Sequence, residues 1–233
     1  MVKLVIFDVG GTLVEFRSSL NKANVKVLRR QFNVKANERE IKKIVDEIDS
    51  KYTNYSYYAR NRYSLIIARA VLKRFGIPTK KAKEFVEERD KISDYDYKSV
   101  RLFSDAIPAI KKIKNKYLLA TIANVHDKVF HQRVLHRTKL KKHFHLHIDS
   151  DSVGIRKPNS KIFKIVLNHF NLKPGDSVMI GDTPAADILG AKKLGMHTIL
   201  INRRRLHYHF IHKTKPDFEI TTLNELLPIL NKI

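Results

Sequence analysis

The feature that most constrains this chain is a regular alternation of strand and helix patterns after residue 96. Short apolar, β-branched runs predict strands at 117–122, 146–148, 177–180, 198–201 and 218–220. Helical patterns begin at Ala106, Asp127, Ser160 and Pro184, and a closing helix is expected from Leu223. Repeated βα units imply parallel strands with helices on both faces of the sheet. The sequence therefore predicts an α/β fold with a Rossmann-like, mainly parallel sheet.

A helical block interrupts this arrangement near the start of the chain. Residues 2–7 predict a first strand that stops at the Gly10-Gly11 turn. From about residue 15 to 95 the apolar residues recur with helical spacing, which predicts roughly four helices and no strand. We therefore expect a core domain of residues 1–14 and 97–233, and an inserted α-helical domain of residues 15–96.

Composition excludes several classes of protein. None of the 233 residues is cysteine, so disulfides, thiolate metal sites and a cysteine nucleophile are excluded. No apolar run reaches the roughly 18 residues of a membrane-spanning helix. We expect a cytoplasmic protein, monomeric or homodimeric, with no membrane partner. The net charge of +23 favours anionic partners and leaves nucleic acid as an alternative to a small phosphorylated substrate.

Acidic residues at two strand ends indicate a site at one edge of the sheet. Asp8 closes the first strand, Asp182 follows the strand at 177–180, and Asp187 lies at the start of the next helix. Ligands of parallel sheets bind beyond the carboxyl ends of the strands. Paired carboxylates and backbone carbonyls are the oxygen ligands that Mg²⁺ prefers. Any one of these acids could equally cap a turn or a helix, so only their co-occurrence predicts a metal site.

Three segments resemble motifs of the haloacid dehalogenase superfamily. The first motif is matched by Phe7-Asp8-Val9-Gly10-Gly11-Thr12-Leu13. The third is matched by Gly154-Ile155-Arg156-Lys157-Pro158 with Ile162-Phe163, and the fourth by Ile180-Gly181-Asp182-Thr183 with Asp187-Ile188 and Gly190-Ala191. Their order and spacing also match, and the resemblance continues to the end of the chain. The helical block after the first motif resembles the cap domain of that family.

This resemblance implies a phosphohydrolase in which Asp8 is the nucleophile and forms an aspartyl-phosphate. Lys157 would neutralise the charge of the phosphoryl group and of the carboxylate beside it. Thr12 would steady the Asp8 loop. The implied cofactor is Mg²⁺, with these ligands: Asp8, the Gly10 backbone carbonyl, Asp182, and Asp187 as a second ligand or as a partner of one.

The chain departs from the family pattern at two positions. Family phosphatases carry a second Asp, the general acid and base, where this chain has Gly10. Such catalysis contributes about 10²–10⁴-fold, so alkyl phosphates should be cleaved slowly, whereas acyl or aryl phosphates would suffer less. The second motif normally supplies a Ser or Thr donor where Ala123 stands, and Thr121 is roughly 6.6 Å back along the strand. We expect Gly11, Ala123 and Asn124 to line the phosphoryl site, with either the side chain or the backbone N–H of Asn124 as the substitute donor.

These departures leave two other functions open. The family's haloacid dehalogenases also lack the second Asp and need no metal, but they are not expected to carry an acid at Asp182. A catalytically impaired member that binds an anionic ligand or nucleic acid is the other alternative. Phosphonate-cleaving relatives tolerate a small residue at Gly10, but they rely on a cap lysine that the sequence does not single out.

Three further patterns carry weaker predictions. Residues 52–63 are rich in tyrosine and arginine. We expect a helix whose tyrosines pack on neighbouring residues, rather than a surface that lines the substrate pocket or stacks bases. His143, His145 and His147 alternate, and we expect structural or surface histidines here rather than metal ligands. Residues 203–212 are rich in Arg and His; a solvated loop is the default, and polyanion binding is the functional alternative.

Overall fold

The computed structural model describes residues 1–15, 20–52, 60–94, 100–125, 128–203 and 215–233. The basic loop beyond Arg203 and the side chains of the tyrosine-rich stretch lie outside the described residues. The chain divides into two compact units. One comprises Met1–Glu15 with Arg101–Ile233, and the other comprises Phe16–Val100.

The first unit is built on a six-stranded sheet in which every neighbouring pair is parallel. Its strands are β1 (Leu4–Phe7), β4 (Leu118–Ala123), β5 (Leu146–Asp149), β6 (Ser177–Gly181), β7 (His197–Ile201) and β8 (Phe218–Ile220), and a short antiparallel pair is formed by β2 (Val14–Glu15) and β3 (Arg101–Leu102). The strand order is β5-β4-β1-β6-β7-β8, so the winding direction reverses beside β1. Such a reversal opens a crevice outside the carboxyl ends of the strands. The predicted Rossmann-like parallel sheet is confirmed.

The second unit consists of four amphipathic helices among its described residues. They are α1 (Leu20–Phe32), α2 (Glu38–Tyr52), α3 (Arg60–Arg74) and α4 (Ala82–Asp94). Each helix contributes apolar side chains at helical spacing to one buried core, which includes Leu28, Ile41, Leu72 and Phe85. The prediction of a four-helix block is confirmed.

Helices cover both faces of the sheet in the first unit. They are α5 (Ala106–Ile113), α6 (Lys128–Arg137), α7 (Ser150–Val153), α8 (Ser160–His169), α9 (Leu189–Lys192) and α10 (Leu226–Leu230). Leu4 and Ile6 of β1 share one buried cluster with Phe163 of α8. Val5 and Phe7 are equally buried, and because side chains alternate along a strand they face the opposite layer. Burial on both faces explains why these strands are continuously apolar.

The segment after Pro184 differs from the expected continuous helix. Pro184–Ile188 forms one π-helical turn, closed by a hydrogen bond from the Leu189 N–H to the Pro184 carbonyl, before α9 begins. Single π-turns inside helices occur frequently at functional sites. This turn carries Asp187, which one of the motifs singles out. Among the described residues, no helix is both long and apolar enough to span a membrane.

Candidate active site

Three carboxylates from two strand ends meet at the crevice. Asp8 follows β1, and its N–H donates to the Ile180 carbonyl of β6 at 2.8 Å. Asp182 follows β6, and Asp187 lies in the π-turn. One carboxylate oxygen from each of the three lies within 4.8 Å of the others. The structure therefore brings together all three acidic side chains that the sequence predicts as metal ligands.

Two glycines make this close approach possible. Gly11 has φ +78°, and a Cβ at that position would lie 2.1 Å from Asp182 Oδ2. A Cβ at Gly181 would lie 2.2 Å from Asp187 Oδ2. Both distances are far below van der Waals contact, so any larger residue would displace a carboxylate. Gly11 was expected to line the phosphoryl site, and the structure shows that it accommodates Asp182.

Backbone and hydroxyl donors fix the two downstream acids. The Thr183 N–H donates to Asp187 Oδ2 at 3.0 Å, and the Asp187 N–H donates to the Thr183 carbonyl at 2.8 Å. The Thr183 hydroxyl donates to Asp182 Oδ1 at 3.2 Å. The carbonyl of Thr183 accepts the first hydrogen bonds of the turn, from the N–H groups of Ala186 and Asp187. Pro184 is tolerated at the first position of the turn, where an N–H would have no partner within it.

Lys157 lies among these carboxylates and is almost fully buried. Its Nζ is 2.6 Å from Asp8 Oδ1, 2.7 Å from Asp187 Oδ1 and 2.6 Å from the Ile122 carbonyl. An ammonium has three donors, and each of them faces one of these oxygens. Lys157 thus bridges the expected nucleophile and an expected metal ligand.

Asn124 holds the backbone of Lys157 in place. The Lys157 N–H donates to Asn124 Oδ1 at 2.8 Å, and Asn124 Nδ2 donates to the Lys157 carbonyl at 2.9 Å. This reciprocal pair engages both ends of the Asn124 amide. Its backbone N–H is therefore the better placed of the two substitute donors that the sequence suggests.

The titration of the site reflects its excess negative charge. Burial raises the pKa of Asp8 to about 6; the charge of Lys157 opposes this rise and that of Asp187 adds to it. Burial also raises the pKa of Asp182 to about 8, with further contributions from Asp8 and Asp187. Burial alone would lower the pKa of Lys157, but the charges of Asp187 and Asp8 outweigh burial and raise it.

The residues fit a divalent cation. When all three are ionised, these carboxylates outnumber the single ammonium of Lys157 among them, so the group carries a net negative charge. Asp8 Oδ2 is buried and has no hydrogen-bond partner among the described residues. Buried charges are normally paired or coordinate a metal, and oxygen-only ligands suit Mg²⁺. The donor set therefore matches the cofactor that the sequence predicts.

Other predicted site residues occupy more modest places. The Thr12 hydroxyl is buried without a hydrogen-bond partner among the described residues, whereas the Thr12 carbonyl accepts from Arg203 at 2.8 Å. Ala123 is buried at the end of β4, opposite Asp149. The hydroxyl of Thr121 is 2.8 Å from His147 Nδ1 and is engaged there, in line with the expectation that it is too remote to replace the missing donor.

Two of the three alternating histidines, His145 and His147, have structural roles. His145 Nδ1 accepts a hydrogen bond from the Leu119 N–H, and His147 is bound to Thr121 and close to the Lys141 carbonyl. Neither belongs to a group of three or more potential metal ligands within the described part of the chain. Arg203 was grouped with the solvated basic loop, and that interpretation is wrong, because its guanidinium pairs with Asp105. Sequence reasoning gave no role to Asp105.

The sequence of this chain matches a known protein family over most of its length. A family model described as "Hydrolase: haloacid dehalogenase-like hydrolase" matches residues 2–195. The chain is a haloacid dehalogenase-like hydrolase. This hydrolase is similar in structure to the HAD-hydrolase YfnB from Bacillus subtilis bound to magnesium, with a TM-score of 0.78, 20% identity and coverage of 99% of each chain. At that identity the similarity demonstrates the fold alone.

Sequence relatives of the hydrolase include proteins named as phosphatases and a protein named as a haloacid dehalogenase. It is 28% identical over 233 residues to glyceraldehyde 3-phosphate phosphatase of Methanothermobacter thermautotrophicus. The aligned region covers 97% of each chain. Its match to the same-named protein of Pyrococcus furiosus is 39% identical over 84 residues, and spans only 36% of this chain and 35% of that relative. It is also 26% identical over 144 residues to (S)-2-haloacid dehalogenase 4A of Burkholderia cepacia, which covers 58% of each chain.

Proposed function

We propose that this protein is a Mg²⁺-dependent phosphohydrolase that cleaves a small phosphorylated metabolite through an aspartyl-phosphate on Asp8. The observation that carries the proposal is the group of Asp8, Asp182 and Asp187 around buried Lys157. A haloacid dehalogenase of this family needs no metal and is not expected to carry an acid at the position of Asp182. Relatives named phosphatases that align over almost the whole chain support the same activity.

The metal would be held by carboxylate oxygens of Asp8, Asp182 and Asp187, together with the Gly10 carbonyl. When bound, Mg²⁺ would neutralise part of the negative charge of the carboxylates and of the phosphoryl group. Gly10 has a φ outside the positive region, unlike Gly11, so the two glycines are not equivalent. We infer that Gly10 serves through its carbonyl, and Gly11 through its lack of a side chain.

The chemical steps use the residues of this chain. An oxygen of ionised Asp8 attacks phosphorus in line, and the phosphorus–oxygen bond to the leaving group breaks with its electron pair. Lys157 donates a hydrogen bond to Asp8 and forms an ion pair with Asp187 in the resting site, and it would share its charge with the phosphoryl oxygens during transfer. Water then attacks the phosphorus of the aspartyl-phosphate, which releases phosphate and regenerates Asp8.

The leaving group decides which substrates react. With Gly10 in place of an acid, the departing oxygen must take its proton from solvent, so a stable anion should leave faster than an alkoxide. We infer the order acyl phosphate, aryl phosphate, alkyl phosphate. Glyceraldehyde 3-phosphate, named in the relatives, is an alkyl phosphate and is therefore the most demanding test of this inference.

The experiment compares acetyl phosphate, p-nitrophenyl phosphate and glyceraldehyde 3-phosphate, each with Mg²⁺ and with a chelator. We expect Mg²⁺-dependent turnover in that order and none for Asp8→Asn. The matched control is Asp46→Asn, since Asp46 is an exposed acid on α2 and should keep the wild-type rate. Equal rates for the three phosphates would contradict the role assigned to Gly10.

Two outcomes favour the alternatives. A dehalogenase is supported by the Burkholderia cepacia relative and by Gly10, which stands where family phosphatases have a second Asp. The outcome that would favour it is release of chloride from 2-chloropropionate without metal. Failure to cleave any of these compounds, combined with nucleic-acid binding that weakens steeply with salt, would support a binding protein. Either outcome would contradict the proposed phosphohydrolase.

A further inference from the structure

Arg203 connects the candidate active site to a distant part of the first unit. It lies two residues beyond the end of β7, at the same edge of the sheet as Asp8. Its guanidinium forms a two-pronged ion pair with Asp105, in which both nitrogen–oxygen distances are 2.9 Å. One of these nitrogens also donates to the Thr12 carbonyl at 2.8 Å. The guanidinium carbon lies 3.8 Å from the ring centroid of Phe103, so its position is restricted from a third side.

Asp105 is itself held firmly. It is buried, and it accepts hydrogen bonds from the Thr222 hydroxyl at 2.7 Å and the Leu223 N–H at 2.9 Å, in addition to those from Arg203. Burial alone would raise the pKa of Asp105, but the hydrogen bonds from Arg203, Thr222 and Leu223 outweigh burial and lower it. A charged, bidentate pair with such partners is stronger and more directional than an exposed ion pair. Arg203 therefore has a fixed anchor.

The segment that Arg203 holds is the turn between Asp8 and Leu13. Within it, the Leu13 and Val14 N–H groups both donate to the Val9 carbonyl, and the Gly11 N–H donates to the Val14 carbonyl. From outside, the Phe103 N–H donates to the Leu13 carbonyl at 3.0 Å. The Thr12 hydroxyl has no hydrogen-bond partner among the described residues. The peptide between Thr12 and Leu13 is held at both ends, because Arg203 donates to the Thr12 carbonyl and the Leu13 N–H donates to the Val9 carbonyl.

This peptide adjoins the most crowded point of the site. Gly11 precedes Thr12 directly, and the Asp182 carboxylate lies against the Gly11 backbone with no room for a side chain. Rotation of the Thr12–Leu13 peptide would shift Thr12 and the adjoining Gly11, and with them this contact and the spacing of the three carboxylates. A misplacement of about 1 Å can cost about 10²-fold in rate.

We propose that Arg203 is a positioning residue that sets the Asp8–Thr12 turn against Asp182, without touching the substrate. This inference rests on the proposed function for its kinetic consequence. Arg203 acts through the Thr12 carbonyl, and Asp105 acts through Arg203. The fork of a guanidinium serves both partners at once, which a lysine ammonium does less well.

The test compares Arg203→Met, Arg203→Lys and Asp105→Asn with Lys192→Met. Lys192 pairs with Asp217 near the amino ends of β7 and β8, away from the site, so its loss controls for the removal of a partly buried ion pair. The measurements are kcat and KM for acetyl phosphate, Mg²⁺ affinity by calorimetry without substrate, and hydrogen exchange of the peptide that spans Asp8–Leu13.

For Arg203→Met we expect kcat to fall about 10- to 100-fold with a smaller change in KM, weaker Mg²⁺ binding and faster exchange in the turn. Arg203→Lys should be intermediate, and Lys192→Met should match wild type in all three measurements. Arg203→Met with wild-type kcat, Mg²⁺ affinity and exchange would overturn the proposal. If Arg203→Met does not fold, Arg203→Lys and Asp105→Asn are measured in its place. Wild-type kcat, Mg²⁺ affinity and exchange in both variants would then overturn the proposal.

The exchange measurement separates this proposal from the proposed function. A wild-type protein that cleaves no phosphate would contradict the phosphohydrolase. Faster exchange in Arg203→Met but not in Lys192→Met would still show that Arg203 holds the turn. Equal exchange in the two variants would overturn the positioning role whatever the activity.

Discussion

Asp182 Oδ2 lies so close to Gly11 that a Cβ at position 11 would be 2.1 Å away. Gly11→Ala should therefore displace Asp182, weaken Mg²⁺ binding and lower kcat by about 10-fold or more, because transition-state stabilisation depends on placement. Calorimetry and steady-state kinetics measure both effects.

The matched control for that prediction is Gly195→Ala. Gly195 has φ +82°, nearly that of Gly11, and a Cβ there would meet nothing within 4 Å. Both variants carry a similar backbone cost of about 1–2 kcal/mol, because a Cβ is unfavourable at positive φ, but Gly195→Ala should bind Mg²⁺ normally. If the two variants bind Mg²⁺ equally well, the contact between Gly11 and Asp182 does not govern the site.

The raised pKa values of Asp8 and Asp182 predict an unusual pH dependence for the metal-free protein. A carboxyl group whose pKa is higher in the folded than in the unfolded state stabilises folding fully only below its unfolded pKa, and this stability is lost as pH rises through the folded pKa. Asp8 and Asp182 should therefore lower the free energy of unfolding between about pH 4 and 8 in chelator, on the order of a few kcal/mol. His131, whose pKa burial lowers from 6.5 to about 4, contributes in the opposite direction over that interval, so the net fall is expected above about pH 6.5.

Urea unfolding at a series of pH values tests this dependence. Asp182→Asn should flatten the fall, since it removes the group with the higher folded pKa. Excess Mg²⁺ should stabilise the wild type most at the upper end of the range, where the carboxylates are ionised. Metal-free stability that rises from pH 6.5 to 8, or an Asp182→Asn variant with the same pH profile as the wild type, would contradict the raised pKa of Asp182.

Lys157 compensates the carboxylates around it, so its removal should destabilise the protein. Lys157→Met should lower the free energy of unfolding by about 3–5 kcal/mol in chelator, because it leaves buried charges unpaired. Mg²⁺ should restore part of this loss but little of the activity. Lys161→Met removes an exposed lysine on α8 and should change neither property. A Lys157→Met variant as stable as Lys161→Met would contradict this account.

Gly10→Asp tests the missing general acid. The φ of Gly10 lies outside the positive region, so an Asp can adopt the backbone there. Turnover of glyceraldehyde 3-phosphate should rise, with about 10²–10⁴-fold as the usual range for acid–base catalysis, whereas acetyl phosphate should gain less. The matched control is Gly10→Asn, because an Asn side chain has the size of Asp but no carboxyl proton to transfer. If Asn raised the rate as much as Asp did, proton transfer would not be the reason.

Most of the fold was predictable because strands and helices follow local apolar patterns. β1, β4 and β6 begin or end within two residues of the predicted limits, since each is a short, almost continuously buried run of four to six residues. The π-turn at Pro184–Ile188 was not predictable, because it depends on how Asp187 fits against Gly181 and Thr183.

The site was predictable only as far as its motifs reach. Asp8, Lys157 and Asp182 were found by resemblance, and their convergence follows from parallel topology. The pairing of Arg203 with Asp105 joins residues 98 positions apart and has no local pattern. The engagement of Asn124 with the Lys157 backbone likewise depends on a tertiary contact across 33 positions.

The central claim is that the Asp8 carboxylate attacks phosphorus, and the most direct measurement is to trap the phosphorylated enzyme. The protein is mixed with acetyl phosphate and Mg²⁺, quenched in acid within one turnover, digested and analysed by mass spectrometry. The account predicts a phosphoryl group on Asp8 that is absent without Mg²⁺ and absent in Asp8→Asn. Turnover of acetyl phosphate with no label on Asp8, or an Asp8→Asn variant that hydrolyses it at the wild-type rate, would contradict it.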